Sequence, residues 1–321
     1  MHSFAELSDR FEEQFQQRHF PVQPAGLYDA AQYILSIGGK RVRPIMVLMA
    51  TELFDDLHQD SFAIANAVEL FHNFSLIHDD IMDKAPLRRG KPTVHIKFGE
   101  SSGLLAGDVM LVAAYDYINT ISSSYISRII NIFNKTAREV CEGQQLDMDF
   151  ENASNVSLDE YISMISLKTS VLLAASLKMG AVLGGAGLGN QDHIYDFGRK
   201  LGIAFQVQDD YLDAFGDPDK FGKQVGGDIL ANKKTFLMIH ALETATEPQR
   251  KELDELMRSS APDKVSRVLD IFRATGVEAW ATSLKERYYT EALEHLDRIA
   301  VLSSRKKPLE ALAAQLLMRE H

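Results

Sequence analysis

The chain has 321 residues, 45% hydrophobic and 25% charged, with 34 basic against 45 acidic side chains and a net charge of −11. That balance suits a globular protein with a sizeable core, and the acidic excess argues against general nucleic-acid binding, which needs a basic face. The single cysteine, Cys141, rules out an internal disulfide, fits a reducing compartment, and reads as a small packed side chain in a helix.

The first twenty residues, MHSFAELSDRFEEQFQQRHF, are polar and helical in pattern, without the apolar stretch of a signal peptide. No segment approaches 18 uninterrupted apolar residues, so no transmembrane helix is expected and the expected compartment is the cytoplasm. In SIGGKRVRPIMVLMA (36–50), Gly38 and Gly39 end one helix and Pro44 suits the first turn of the next. Lys40 and Arg43 then lie at a helix N-terminus, where free N–H groups and the dipole favour anions.

Phe62, Ala65, Val68, Phe71 and Ser75 recur at helical spacing, and the run ends in LIHDDIMDKAPLRRGKPT (76–93). TVHIKF (93–98) is the one strand-like alternation, too short to build a sheet. GGAGLG (184–189) lacks the preceding strand and the Lys-Ser/Thr pair of a nucleotide loop and reads as a turn between helices. Ile194, Phe197, Leu201, Ala204 and Phe205 form a second stripe, leading to DDYLD at 209–213. Ser260 and Pro262 read as a helix start; its stripe, Val265, Val268, Leu269 and Phe272, stops at Gly276, and Val277, Trp280, Leu284 and Tyr288 begin another. With nine prolines, none between Pro92 and Pro218, and no Pro/Gly/Ser-rich linker, the expected fold is an all-α bundle with long central helices, a single domain over 1–321.

Residues four apart share a helix face, so Asp79 and Asp83 project together, as do Asp209 and Asp213. Both pairs end apolar runs, where the helix dipole is already negative and a second negative charge is unfavourable. Something positive must fill each gap. Oxygen donors with no His or Cys partner suit Mg²⁺, which is usually held by one or two carboxylates together with substrate phosphates. Two such helices facing each other would clamp a polyphosphate through several ions. Beside the first cluster stand Arg88 and Arg89, whose guanidinium groups make forked hydrogen bonds to phosphate. His72 lies seven residues before Asp79, about 10 Å along the same face. Lys168-Thr169 in SLKTS, and Lys223, Asp228 and Lys233 in DPDKFGKQVGGDILANKKTF, flank the second cluster.

These stretches, together with AGD (106–108), GQQLD (143–147) and FQVQDDYLDAFGDP, resemble the trans-isoprenyl diphosphate synthases, or polyprenyl synthetases, from residue 38 to residue 235. The resemblance implies the isoprenoid synthase type of fold, antiparallel helices around a central cavity, and a homodimer. It implies that an allylic diphosphate ionises, that its carbocation alkylates isopentenyl diphosphate, and that proton loss gives a product one isoprene unit longer. By that likeness Asp79, Asp83 and Asp209 carry Mg²⁺, three ions with substrate bound, while Asp80, Asp210 and Asp213 support them through water or hydrogen bonds. Arg88, Lys168, Lys223 and Lys233 would hold the allylic diphosphate, and Lys40, Arg43, His72 and Arg89 isopentenyl diphosphate. Gln206 and the backbone carbonyls of Lys168 and Thr169 would face the cation, and the departing diphosphate would take the proton.

Along the helix before Asp79, Ser75 lies one turn below, about 6 Å away, Phe71 two turns below, about 12 Å away, and Phe74 is turned roughly 100° from Ser75. Ser75 leaves room, Phe71 would form a floor and Phe74 would narrow the channel. This pattern resembles short-chain enzymes of the archaeal C20 type, which favours geranylgeranyl diphosphate as product, with farnesyl diphosphate second. Two other readings compete. A class I terpene cyclase would not need GGKRVRP or a second full DDxxD. A non-catalytic subunit of a heteromeric synthase typically loses one acidic cluster, and both are intact here.

Overall fold

The computed structural model describes residues 1–153, 155–216, 226–259 and 261–318. These residues gather into two compact units, the first made of Met1–Asn134, Ala175–Ile194 and Ala300–Pro308, the second of Lys135–Ala174, Tyr195–Ile299 and Leu309–His321.

The first unit contains α1 (Phe4–Phe15), α2 (Ala25–Ser36), α3 (Val42–Phe54), α4 (Gln59–Met82), α5 (Val94–Phe98), α6 (Glu100–Asn119) and the start of α7 (Ser123–Asn152). α4 has neither glycine nor proline and is buried without a break from Ser61 to Phe71. A helix apolar all round belongs in a core, and α4 packs between α3 and α6. Its last turn emerges from that core and carries the first aspartates.

TVHIKF is not strand-like in the structure: residues 94 to 98 form the short helix α5, which packs on α2, α4 and α6. Among the described residues the alternation has no partner strand to pair with, and tertiary packing decided the outcome. A strand pairing does occur just before it. Leu87–Arg88 (β1) and Lys91–Pro92 (β2) form a two-residue antiparallel ladder, Leu87 opposite Pro92. The loop between them, Arg89-Gly90, has φ of 52° and 75°, the left-handed pair that a tight hairpin requires.

The second unit contains the rest of α7, α8 (Leu158–Ile165), a π-helical turn (Ser166–Ser170), the start of α9 (Val171–Leu183) and most of α10 (Leu188–Phe215). After it come α11 (Gly227–Leu230), α12 (Phe236–Thr244), α13 (Glu247–Leu256), α14 (Lys264–Ala274), α15 (Val277–Asp297) and the end of α16 (Ser303–Leu317). Its core includes Tyr161, Val207, Phe236, Leu253, Val268 and Phe272. The stripes at 265–272 and 277–288 fall on α14 and α15; Ser260, read as part of a helix start, lies outside the described residues.

GGAGLG is the turn between α9 and α10, with Gly185 at φ 73°. Cys141 is exposed on α7 rather than packed: the helix buries Val140, Gly143 and Gln144, and Cys141 lies about 100° round the helix from Val140, outside that buried side. Leu158–Leu183 has the length and apolarity of a membrane span even though no uninterrupted apolar run does, and 72% of that window is buried inside the protein, as in a core helix.

The π turn bearing Lys168 is gripped on both sides. A Cβ on Gly143 of α7 would stand 2.3 Å from the Lys168 amide nitrogen, and one on Gly202 of α10 would stand 2.7 Å from Ser170 Cα. Only glycine lets the backbones approach this closely. Gly143→Ala is therefore expected to destabilise the protein by about 1–3 kcal/mol through overpacking, read as a lower denaturant midpoint; an unchanged midpoint would contradict the close approach.

Candidate active site

The turn between α2 and α3 is built around a residue to which the sequence reading gave no role. Arg41 is 7% exposed and sits in the left-handed region at φ 47°. Its side chain donates to Glu12 Oε1 at 2.9 Å, to Glu69 Oε1 at 2.5 Å and to the Leu35 carbonyl at 3.0 Å, and it lies over the Phe15 ring. Glu69, 3% exposed on α4, also accepts from Asn73 Nδ2 at 2.9 Å. With Arg41 turned inward, Lys40 stands exposed and Arg43 falls in the first turn of α3.

Arg43 Nη1 and His72 Nε2 are 3.1 Å apart. Arginine only donates, so the imidazole accepts there and carries its proton on Nδ1. Arg89 reaches the same turn from the hairpin: a Cβ on Gly39 would stand 2.7 Å from Arg89 Nη1. The second glycine of GGKR thus makes room for a guanidinium group. Burial first, and then the positive fields of Arg43, Arg89, Arg88 and Arg41, hold His72 well below the usual imidazole range. Burial also pushes Arg43 down to about 10, opposed by Glu69. Arg43 Nε is buried with no hydrogen-bond partner. A cationic patch with an unpartnered buried donor suits a phosphate-bearing anion.

At the end of α4 the three aspartates divide. Asp80, 2% exposed, receives a fork from Arg88, Nε at 2.8 Å and Nη2 at 2.7 Å. The two residues to which the sequence reading gave separate roles are each other's partners. Asp79 is half-buried, and Asp83, one turn on, is exposed and forms the C-cap. Below them, Phe71 is 1% exposed and in ring contact with Phe74 (5.5 Å) and Phe133 (5.2 Å); Phe133 in turn meets Tyr115 (5.1 Å). Ser75 donates to the His72 carbonyl at 2.9 Å. Phe133 and Tyr115 come from α7 and α6, so no local signal in the sequence joined them to Phe71.

In the second unit a cavity of about 130 Å³ is lined by Asp147, Lys168, Thr169, Gln206, Asp210 and Lys233, among others. Lys168 Nζ donates to Asp147 Oδ2 at 2.5 Å, giving the last residue of GQQLD a partner. Thr169 Oγ1 donates to Gln206 Oε1 at 3.3 Å, and Gln206 Nε2 to Asp210 Oδ1 at 2.8 Å. Tyr161 donates its hydroxyl to Asp210 Oδ2. Burial, then the charge of Asp228, pushes Asp210 up to about 8, against the pull of the hydrogen bonds from Tyr161 and Gln206. Asp209 is half-buried on α10. Asp213 Oδ2 accepts from the Asp228 amide at 2.9 Å, so Asp213 serves the start of α11. Lys233 lies 3.6 Å from Asp228. Lys223 lies outside the described residues.

Among the described residues no three His, Cys, Asp or Glu side chains stand together as a complete metal cage. Each aspartate cluster offers one or two hard oxygen ligands. Mg²⁺ is commonly held that way, with water and substrate phosphate supplying the rest, so the donor set fits an ion completed by a diphosphate.

An all-α chain with a buried cationic patch and aspartates at the ends of two long helices matches the isoprenoid synthase class of fold. The chain belongs to the polyprenyl synthetase family, whose family model matches residues 24–275. It is 35% identical to a short chain isoprenyl diphosphate synthase of Methanothermobacter thermautotrophicus over 322 aligned residues, covering 100% of this chain and 98% of that protein. Among solved structures, a geranylgeranyl pyrophosphate synthase aligns over 100% of both chains at 41% identity with a TM-score of 0.94. A polyprenyl synthase from Caulobacter crescentus CB15, complexed with calcium and isoprenyl diphosphate, aligns over 99% of this chain and 97% of its own at 25% identity with a TM-score of 0.88.

The depressed His72 gives a pH prediction. Below about 6.5, the ordinary imidazole value, the unfolded chain takes up a proton at His72 that the folded chain does not, so folding stability falls as pH drops through that point. His72→Gln keeps an acceptor for Arg43 and removes the proton site. Its melting temperature between pH 5 and 8 is expected to fall less on acidification than the wild type's; parallel profiles would contradict the assignment.

Proposed function

We propose that the chain condenses isopentenyl diphosphate with an allylic diphosphate, releasing diphosphate, to make a short-chain all-trans prenyl diphosphate, chiefly geranylgeranyl (C20) with farnesyl (C15) second. Membership of the family makes it a prenyltransferase. The observation that carries the reading is the Arg43–His72–Arg89 patch with its unpartnered Arg43 Nε. It offers a seat for a diphosphate that needs no metal, in a chain that also carries two acidic clusters. A cyclase, with one diphosphate to hold, has no use for both.

In this reading Lys40, Arg43, His72 and Arg89 bind isopentenyl diphosphate. Asp79, Asp83 and Asp209 hold Mg²⁺, three ions with substrate bound. When bound, those ions neutralise the charge that develops on the leaving diphosphate as its C–O bond breaks. Arg88, Lys168, Lys223 and Lys233 hold the allylic diphosphate and help to balance the same charge, the fork of Arg88 to Asp80 fixing its orientation. Calcium in the Caulobacter relative supports a divalent ion. Gln206 and the carbonyls of the π turn face the allylic cation, apolar side chains exclude water from it, and the departing diphosphate takes the proton. In this reading residues 1–321 are one cytosolic synthase domain that works as a homodimer.

The test is product analysis with isopentenyl diphosphate, Mg²⁺ and each of the C5, C10 and C15 allylic starters. A C20 product is expected from all three. Phe71→Ala and Phe74→Ala are expected to lengthen the product by one or more isoprene units; unchanged products from both variants would reject this helix as the ruler. A hydrocarbon released from farnesyl diphosphate alone would favour the cyclase.

A further inference from the structure

Tyr161 has no part in the reaction as set out above, yet it stands against the proposed reaction centre. It is 4% exposed on α8, a helix that Ser157 and Glu160 begin with a reciprocal cap. Tyr161, Asp210, Gln206 and Thr169 line one cavity and form one chain of hydrogen bonds. With Asp210 ionised, as it is above about pH 8, the direction of each bond is fixed, because a carboxylate only accepts. The Tyr161 hydroxyl and the Gln206 NH₂ group both donate to Asp210, on different oxygens, and the Gln206 oxygen is left to accept from Thr169.

A carboxamide can turn over with almost no change of shape, and only its partners decide which end lies where. The two ends are not equivalent to a carbocation: the oxygen carries partial negative charge and attracts it, and the NH₂ end repels it. Asp210 decides the orientation by demanding the NH₂ group. Asp210 is itself a carboxylate free to rotate unless both its oxygens are engaged. Gln206 engages one, and Tyr161 engages the other.

We propose that Tyr161 is a positioning residue: through Asp210 it fixes the Gln206 carboxamide with its oxygen on the Thr169 side of the cavity, where the allylic cation forms. This rests on the assignment of Gln206 to the cation. Loss of the hydroxyl leaves the Tyr161 ring packed and Asp210 in place but frees the amide to invert. The damage therefore falls on the chemical step rather than on substrate binding.

The experiment is steady-state kinetics on the full chain with Mg²⁺, each diphosphate varied in turn against a saturating level of the other, at a pH above about 8 where Asp210 is ionised, with melting temperatures measured alongside. Tyr161→Phe is expected to lower kcat about tenfold or more while KM for both diphosphates stays within about twofold, the pattern of an interaction made in the transition state. Thr169→Val, which removes the donor at the other end of the chain without disturbing Tyr161, is expected to show the same split. In Gln206→Leu there is no amide to orient, so adding Tyr161→Phe is expected to cost nothing further, a non-additivity that a purely structural tyrosine would not show. An unchanged kcat in Tyr161→Phe beside an impaired Gln206→Leu, or losses that multiply in the double variant, would overturn the proposal. An unchanged kcat in Gln206→Leu would remove the assignment of Gln206 to the cation and the proposal with it.

Discussion

Several cations can be kept in contact inside a folded chain only if an opposite charge is fixed among them. In the first unit that charge is Glu69. It is 3% exposed, bonded to Arg41 and Asn73, and it sustains the charge of Arg43 against burial. Removing one partner from a buried pair costs far more than the pair contributes, because the remaining charge is stranded. Arg41 accepts a left-handed backbone to reach Glu69, and that conformation turns Lys40 outward and sets Arg43 in α3 beside His72. The neutrality of His72 follows first from its burial and then from its company.

The second unit meets the inverse problem. Carboxylates from Asp147, Asp210 and Asp228 line one small cavity with Lys168 and Lys233. Lys168 pairs with Asp147. Asp210 relies on neutral donors, Tyr161 and Gln206, which engage it without adding charge. A cavity of this character is suited to a ligand that brings both negative phosphate and positive ions, since either alone would leave one set of side chains uncompensated.

Much of this was legible in the sequence. Carboxylates four apart at the ends of apolar runs, a Gly-Gly break before Lys40 and Pro44, and Arg88-Arg89 beside the first acidic cluster are local patterns, and local geometry decides them. What escaped depends on contacts between distant segments. Glu69 is a single acid in an apolar helix, and its partner Arg41 lies 28 residues away across a turn. Tyr161 is separated from Asp210 by 49 residues and Asp147 from Lys168 by 21. The mutual pairing of Arg88 with Asp80 was hidden because the hairpin that folds one back on the other is only two residues long on each side. TVHIKF shows the converse, a local pattern overruled by what packs against it.

The division of labour between a metal-free seat and metal-dependent aspartates is the claim on which the account stands. It is tested most directly by titrating isopentenyl diphosphate into the protein calorimetrically in EDTA, at low and at moderate salt, for the wild type and Arg43→Gln. Binding in EDTA that weakens with salt, and that falls about tenfold or more when the buried Arg43 donor is lost, is expected. Binding that appears only after Mg²⁺ is added, or that is indifferent to Arg43, would contradict the seat.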